Sequence, residues 1–167
     1  ILDLADGEVK QGLYRYDASQ TLDTYLEKSY WRTASWIANS AQAAGVLSGL
    51  GEQQLHLLYQ FGRQLGLAFQ VVDDILDFTG NDQQLGKPAA SDLASGYLTA
   101  PALYALEENP SLAGLIEREF SDEGDLEEAL KMVRDSRAIL RSRELAENFA
   151  FESREAIKWI PDSPCKR

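Results

Sequence analysis

Residues 52–78 carry the longest unbroken helical pattern in the chain, and it ends in "FQVVDDILDFTG". The rest of the sequence repeats that period. Residues 1–16 set Leu2, Ala5, Val9 and Leu13 at helical spacing. "DASQT" then turns into a stretch over 22–47 rich in Ala, Leu and Ile, which Thr21 or Asp23 can cap. "SGLGE" interrupts with two glycines. After the aspartates, "GNDQQLGKPAASDLASGYLT" has little apolar periodicity and reads as a long loop, functional or disordered. "APALYALEEN" resumes as a short helix, and Pro110 opens another through Phe120. "SDEGDLEEALKMV" reads as a capped helix with an acidic first turn, and residues 136–158 as a last amphipathic helix. Strand-type alternation and internal repeats are absent. The expected fold is all-α, an antiparallel helical bundle, with residues 1–167 as a single helical domain and 159–167 as its tail.

At 167 residues such a domain buries roughly two-thirds of its unfolded surface and needs no disulfide staples. The single Cys165 excludes an intramolecular bridge and points to a reducing compartment. A net charge of −11 argues against a nucleic-acid partner, because phosphate neutralisation dominates that affinity. A phosphorylated ligand would need a divalent cation as a bridge. No uninterrupted apolar run reaches a membrane span. The chain opens with "ILDLADGEVKQG", which reads as the inside of a helix without an initiator Met, so a cut or processing point is expected there.

The aspartates are the anomaly. Aspartate is a poor helix former, and the C-terminal end of a helix favours cations. At about 100° per residue, Asp73 and Asp77 lie about 40° apart, with Asp74 about 60° from Asp77 and Gln70 about 60° from Asp73. These four polar groups share one broad face, while Val71, Val72, Ile75 and Leu76 include positions aimed at a core. Two carboxylates ~6 Å apart repel by about 0.7 kcal/mol in water and about 3 kcal/mol at an effective dielectric near 20. A hard dication reverses the sign of each contribution. Mg²⁺ takes one or two carboxylates and completes its shell with water and phosphate oxygens. Two readings stand side by side: a solvated acidic helix end, and a metal-mediated diphosphate site.

The run "GLAFQVVDDILDFTGNDQQLGKPAASDLASGYLTAPALYAL" resembles the second aspartate-rich region of trans-polyprenyl diphosphate synthases, followed by their Gly-Lys-Pro loop and Thr-x-Pro helix start. "GEVKQ" resembles their Gly-Glu-x-x-Gln helix and "YWRTASWIANS" their Lys-Thr-Ala segment. The wording is most similar to the long-chain branch, such as solanesyl diphosphate synthases of plastids and cyanobacteria. The resemblance implies an isoprenoid-synthase helical bundle, here in part, and an Mg²⁺-dependent condensation of isopentenyl diphosphate with an allylic diphosphate. It implies Asp73 as principal metal ligand, supported by Asp74 and Asp77, with Gln70 lining the site. It also implies Lys87 reaching the diphosphate from the loop, and Thr33 beside the allylic substrate; the length and the Gly, Ser and Asn content of residues 80–96 point separately to a mobile flap. It further implies a homo-oligomer, a homodimer, in the full-length form, located in the cytoplasm or, in a plant, the plastid stroma.

Two departures qualify the match. Arg32 stands where the family has Lys; it keeps the charge but differs in reach and geometry. Only one aspartate-rich motif is present, so the resemblance covers roughly the C-terminal half of such an enzyme. Competing expectations are a non-catalytic subunit or pseudoenzyme of such a synthase, and an unrelated helical interaction protein.

The weaker signals read more simply. His56, amid Leu55, Leu57 and Leu58, is read as structural. Gly62 and Gly66 form a small-xxx-small pair that permits close helix packing. Trp31, Trp36 and Phe69 suit either a prenyl tunnel or plain core. "EREFSDEGDLEE" is read as a solvated face.

Overall fold

The computed structural model describes residues 14–80 and 90–163. Its helices are α1 Leu22–Ser29, α2 Ser35–Leu47, α3 Glu52–Thr79, α4 Ser91–Ala94, α5 Ala100–Glu108, α6 Leu112–Glu117, α7 Asp125–Asp135 and α8 Ala138–Ala156. No strand occurs among the described residues. The organising element is α3. Its 28 residues make a rod about 42 Å long, against which α2 packs on one side and α8 on another. Val71, Ile75 and Phe78 carry its buried stripe into a core completed by Leu93, Leu98, Leu103, Leu112, Ile116 and Val133.

Two glycines set how closely α2 approaches α3. A methyl group at Gly66 would stand 2.4 Å from Ala34 Cα, and one at Gly62 would stand 2.5 Å from the Ile37 carbonyl oxygen. The small-xxx-small pair therefore works as its spacing suggests, by bringing two backbones into direct contact.

The stretch over 22–47 is not one regular helix. Between α1 and α2 the chain makes a π-helical turn, Tyr30–Ala34. The local cause is a competition for carbonyls. The Ser35 hydroxyl donates to the Trp31 carbonyl four residues back at 3.0 Å, while the Ser35 amide reaches five residues back to Tyr30. A serine that bonds its own i−4 carbonyl weakens the regular ladder at that point. Such turns are frequent at functional sites, and this one carries Arg32 and Thr33.

Other boundaries follow the sequence more closely. Thr21 caps α1, accepting from the Thr24 amide at 3.2 Å. The segment after Pro110 is helical over a shorter span than its composition suggests. Within the stretch expected as a long loop, α4 forms at Ser91–Ala94; residues 81–89, Lys87 included, lie outside the described residues. So do residues 1–13 of the helical stretch expected over 1–16, with its "GEVKQ", and residues 164–167; residues 14–16 of that stretch form a turn, not helix.

The run "EREFSDEGDLEE" is not a simple solvated face. Asp125 is buried, and its carboxylate takes two hydrogen bonds from Arg118, Nε to Oδ2 at 2.7 Å and Nη2 to Oδ1 at 2.5 Å. That bidentate pair ties the exit of α6 to the start of α7 and holds the Asp125 carboxyl below the usual range. His56 is exposed on α3. Trp36 and Phe69 are exposed as well, so neither is core. Val71 and Ile75 are buried as the wheel suggests, whereas Val72 and Leu76 are not.

Candidate diphosphate and metal site

A cavity of about 380 Å³ opens beside the C-terminal half of α3. Tyr25, Lys28 and Ser29 line it from α1, Arg32 from the π turn, and Gln70, Asp73 and Asp74 from α3. Asp92, Tyr97, Leu98 and Thr99 line it from the segment leading into α5.

The α3 carboxylates differ in environment. Asp73 is exposed. Asp74 is 3% exposed and held from two sides: Tyr25 donates its hydroxyl to Oδ2 at 2.5 Å, and Gln70 donates Nε2 to Oδ1 at 2.9 Å. Thr33 in turn donates its hydroxyl to Gln70 Oε1 at 2.7 Å. The chain Thr33–Gln70–Asp74–Tyr25 thus fixes one carboxylate through three elements. Burial pushes Asp74 up to about 7 against the opposing pull of the Tyr25 and Gln70 hydrogen bonds, and the Asp92 and Asp73 charges add to the rise. Tyr25 is also raised, chiefly by burial and then by the Asp74 charge.

Asp77 has a different task. It is 2% exposed and lies outside the cavity lining. Its Oδ1 accepts from the Ser91 hydroxyl at 3.1 Å and its Oδ2 from the Asp92 amide at 3.1 Å. Asp77 therefore anchors the start of α4 and with it Asp92. The other side of this segment is clasped by the turn before α1. The Tyr16 amide donates to the Gly96 carbonyl at 2.9 Å, and Arg15 Nε donates to the Ser95 carbonyl at 2.8 Å. Gly96 sits at φ +82 against the Tyr16 ring, where a methyl group would meet ring carbons at 2.6 Å. Only glycine fits both the conformation and the contact.

Of the residues expected from the sequence, Arg32, Gln70, Asp73 and Asp74 meet in the cavity. Thr33 stands one hydrogen bond behind it, Asp77 serves the adjoining segment, and Lys87 is not described. Sequence reasoning missed Tyr25, Lys28, Asp92 and Thr99. A signal existed for the first two: Tyr25, Lys28 and Arg32 follow i, i+3, i+7 spacing, the rhythm of one helix face.

The donor set fits a hard dication. Asp73, Asp74 and Gln70 offer oxygen ligands of the kind Mg²⁺ takes, and a cation relieves the cost of burying Asp74 as an anion. Among the described residues no group of three His, Cys, Asp or Glu side chains converges on a single point. The described protein donors make part of a shell, which water and phosphate oxygens would complete.

The Asp74 environment has a consequence for stability. An unfolded aspartate titrates near 3.9, whereas folded Asp74 titrates near 7. Below pH 4 both forms are protonated and nothing is lost. As pH rises toward 7 the unfolded chain releases a proton that the folded chain keeps, so stability falls across that window. Asp74→Asn is expected to stabilise the metal-free protein by about 2 kcal/mol at pH 8. The gain should vanish near pH 4, and thermal melts of both forms across this range check it.

With this geometry in hand, comparison with known proteins places the chain. Residues 1–133 match the family model described as polyprenyl synthetase. A prenyl transferase of Synechocystis sp. is 57% identical over 160 residues, covering 96% of this chain and 50% of that protein. Solanesyl diphosphate synthase 2, chloroplastic, of Arabidopsis thaliana is 47% identical over 163 residues, covering 98% of this chain and 39% of that protein. The crystal structure of heptaprenyl diphosphate synthase from Staphylococcus aureus superposes with a TM-score of 0.91 at 30% identity, over 97% of this chain and 52% of that one. The chain spans about half the length of the curated relatives it matches. A family match over most of the sequence, close relatives along nearly all of it and a shared helical architecture agree: the chain is a member of the polyprenyl synthetase family.

Proposed function

We propose that this chain forms part of a long-chain trans-polyprenyl diphosphate synthase, which condenses isopentenyl diphosphate with an allylic diphosphate, and that its cavity holds a diphosphate through Mg²⁺. The observation that supports this most is the gathering of Asp73, Asp74 and Gln70 with Arg32 in one concave site. Carboxylates without metal would repel a diphosphate; cations without carboxylates would hold it without a metal. Both together suit a metal–diphosphate pair.

In this reading Asp73, the exposed carboxylate, is the principal ligand and Asp74 the second. Tyr25 and Gln70 set the orientation of Asp74, and Thr33 sets that of Gln70. Arg32 faces phosphate oxygens, where its planar guanidinium can bind bidentately. Asp77 acts at one remove by anchoring the segment that carries Asp92. Mg²⁺, when bound, supplies positive charge to the departing diphosphate. No helix among the described residues is long and apolar enough to cross a membrane; a cytoplasmic or, in a plant, stromal location suits the reading.

The test is calorimetry with Mg²⁺ and inorganic pyrophosphate. Mg²⁺ alone is expected to bind weakly and Mg²⁺ with pyrophosphate more tightly, with Asp73→Ala and Asp74→Ala together abolishing the heat. An unchanged heat in the double variant would sink the assignment.

A further inference from the structure

Among the described residues, Lys28 is the cavity cation whose chemistry the preceding reading leaves unused. It projects from α1 one turn before Arg32, and burial together with the Arg32 charge pulls its ammonium down to about 8. A cation kept half-buried beside a second cation is costly unless an anion meets it. Yet among the described residues Lys28 makes no ion pair. Two neutral groups hold it instead. Its ammonium donates to Gln20 Oε1 and sits 5.5 Å from the Tyr14 ring centroid. Gln20 is itself buried and is fixed by donating Nε2 to the Tyr14 carbonyl at 2.8 Å. This support fixes where the ammonium lies without cancelling its charge, and it uses one of three N–H donors.

A second group on the same cavity lacks a partner. The Thr99 hydroxyl is buried and makes no hydrogen bond. Thr99 is also the N-cap residue of α5, and its side chain does not cap the helix. A buried hydroxyl left unpaired carries a desolvation cost that a ligand oxygen would remove. The helix start adds partial positive charge at the same place.

We propose that Lys28 and Thr99 form a second phosphate-oxygen subsite of the cavity, in which the Lys28 ammonium and the Thr99 hydroxyl both donate to the diphosphate. This rests on the reading of the cavity as a diphosphate site, and adds two residues to it from α1 and from the start of α5. Arg32 then serves one set of phosphate oxygens and Lys28 another, so that the anion is held by two cations as well as through the metal. Gln20 is a positioning residue for Lys28.

The experiment is calorimetry of this chain with Mg²⁺ and inorganic pyrophosphate, with thermal melts of each variant alongside. Lys28→Met is expected to weaken pyrophosphate binding about tenfold, with Lys28→Arg retaining affinity within about threefold. Thr99→Val removes the orphaned hydroxyl at nearly constant shape. It is expected to keep or raise the melting temperature while weakening pyrophosphate binding about fivefold. A merely structural Lys28 or Thr99 would alter the melt and leave the affinity alone. Wild-type affinity in Lys28→Met, with binding still abolished by Asp73→Ala and Asp74→Ala together, overturns the subsite and leaves the metal–diphosphate reading standing. No binding by the wild-type chain, or binding indifferent to the aspartate pair, overturns both.

Discussion

Incubated with radiolabelled isopentenyl diphosphate and an allylic primer, this chain is expected to incorporate no measurable label, while a version extended upstream should turn over at least about a thousandfold faster. Departure of a diphosphate needs charge compensation from several sides at once. Among the described residues, the cavity supplies the carboxylates Asp73 and Asp74 on α3 with Asp92 beside them, and the cations Lys28 and Arg32. If the missing contacts are worth even 4 kcal/mol of transition-state stabilisation, the rate falls by about three orders of magnitude. The surface of α3 leads to the same expectation. Leu65, Phe69, Val72 and Leu76 follow one another along a single face, and all are between 40 and 62% exposed. A contiguous apolar stripe of that kind marks an interaction surface. Self-association of this chain at micromolar concentration is expected, and its relief in the extended form; sedimentation velocity on both reports it. Comparable turnover by the two forms would show that the single cluster suffices.

Gly66→Ala should lower stability by about 3 kcal/mol, a fall in Tm of roughly 6–12 °C for a chain of this size. Helix propensity alone argues the other way, since alanine is better than glycine in a helix interior by about 1 kcal/mol. Packing decides the sign. The added methyl would stand 2.4 Å from Ala34 Cα and 2.8 Å from Ala34 Cβ, so no side-chain rotation relieves it and α2 must move off α3. Because Ala34 closes the π turn, the same movement would draw Thr33 away from Gln70, and pyrophosphate affinity should fall with stability. Ala at Gly114, which meets nothing within 4 Å, is the matched control and should leave Tm unchanged or slightly raised. A Gly66→Ala melt as high as the control's would mean that the helices have room to spare.

What the sequence could show divides along the range of the forces involved. The course of α3 is legible because a 3.6-residue rhythm records which side faces the core, and the Gly62–Gly66 spacing records where a neighbour comes close. The Thr21 cap is legible because capping is decided within three residues. The division of labour among the aspartates was not. A helical wheel puts Asp77 beside Asp73, yet the Asp77 carboxylate is claimed by Ser91 and Asp92, 14 and 15 residues onward. Tyr25 is 49 positions from the Asp74 it bonds, and no local pattern ties the two. The π turn escaped for another reason. It changes which carbonyl each amide finds without changing composition, and Ser35 alone hints at the competition. The exposed apolar face of α3 reads partly as core in the sequence because periodicity registers apolarity and not what covers it.

The π turn also makes the two halves of one continuous helical run answer to different partners. In a regular α-helix every residue advances by about 100°, so the phase of one end dictates the phase of the other. The five-residue closure at Tyr30–Ala34 works like an inserted beat that resets this phase. At its end Ala34 meets Gly66, and downstream α2 keeps the register that seats Ala38 against Gly62. Upstream, α1 is free to turn Tyr25 and Lys28 toward the cavity. Losing a single residue from the turn would restore an ordinary helix and swing both side chains by about 100° relative to α2. The contacts of α2 with α3 would persist, while the core would lose the Tyr25 ring and Asp74 the hydroxyl that orients it.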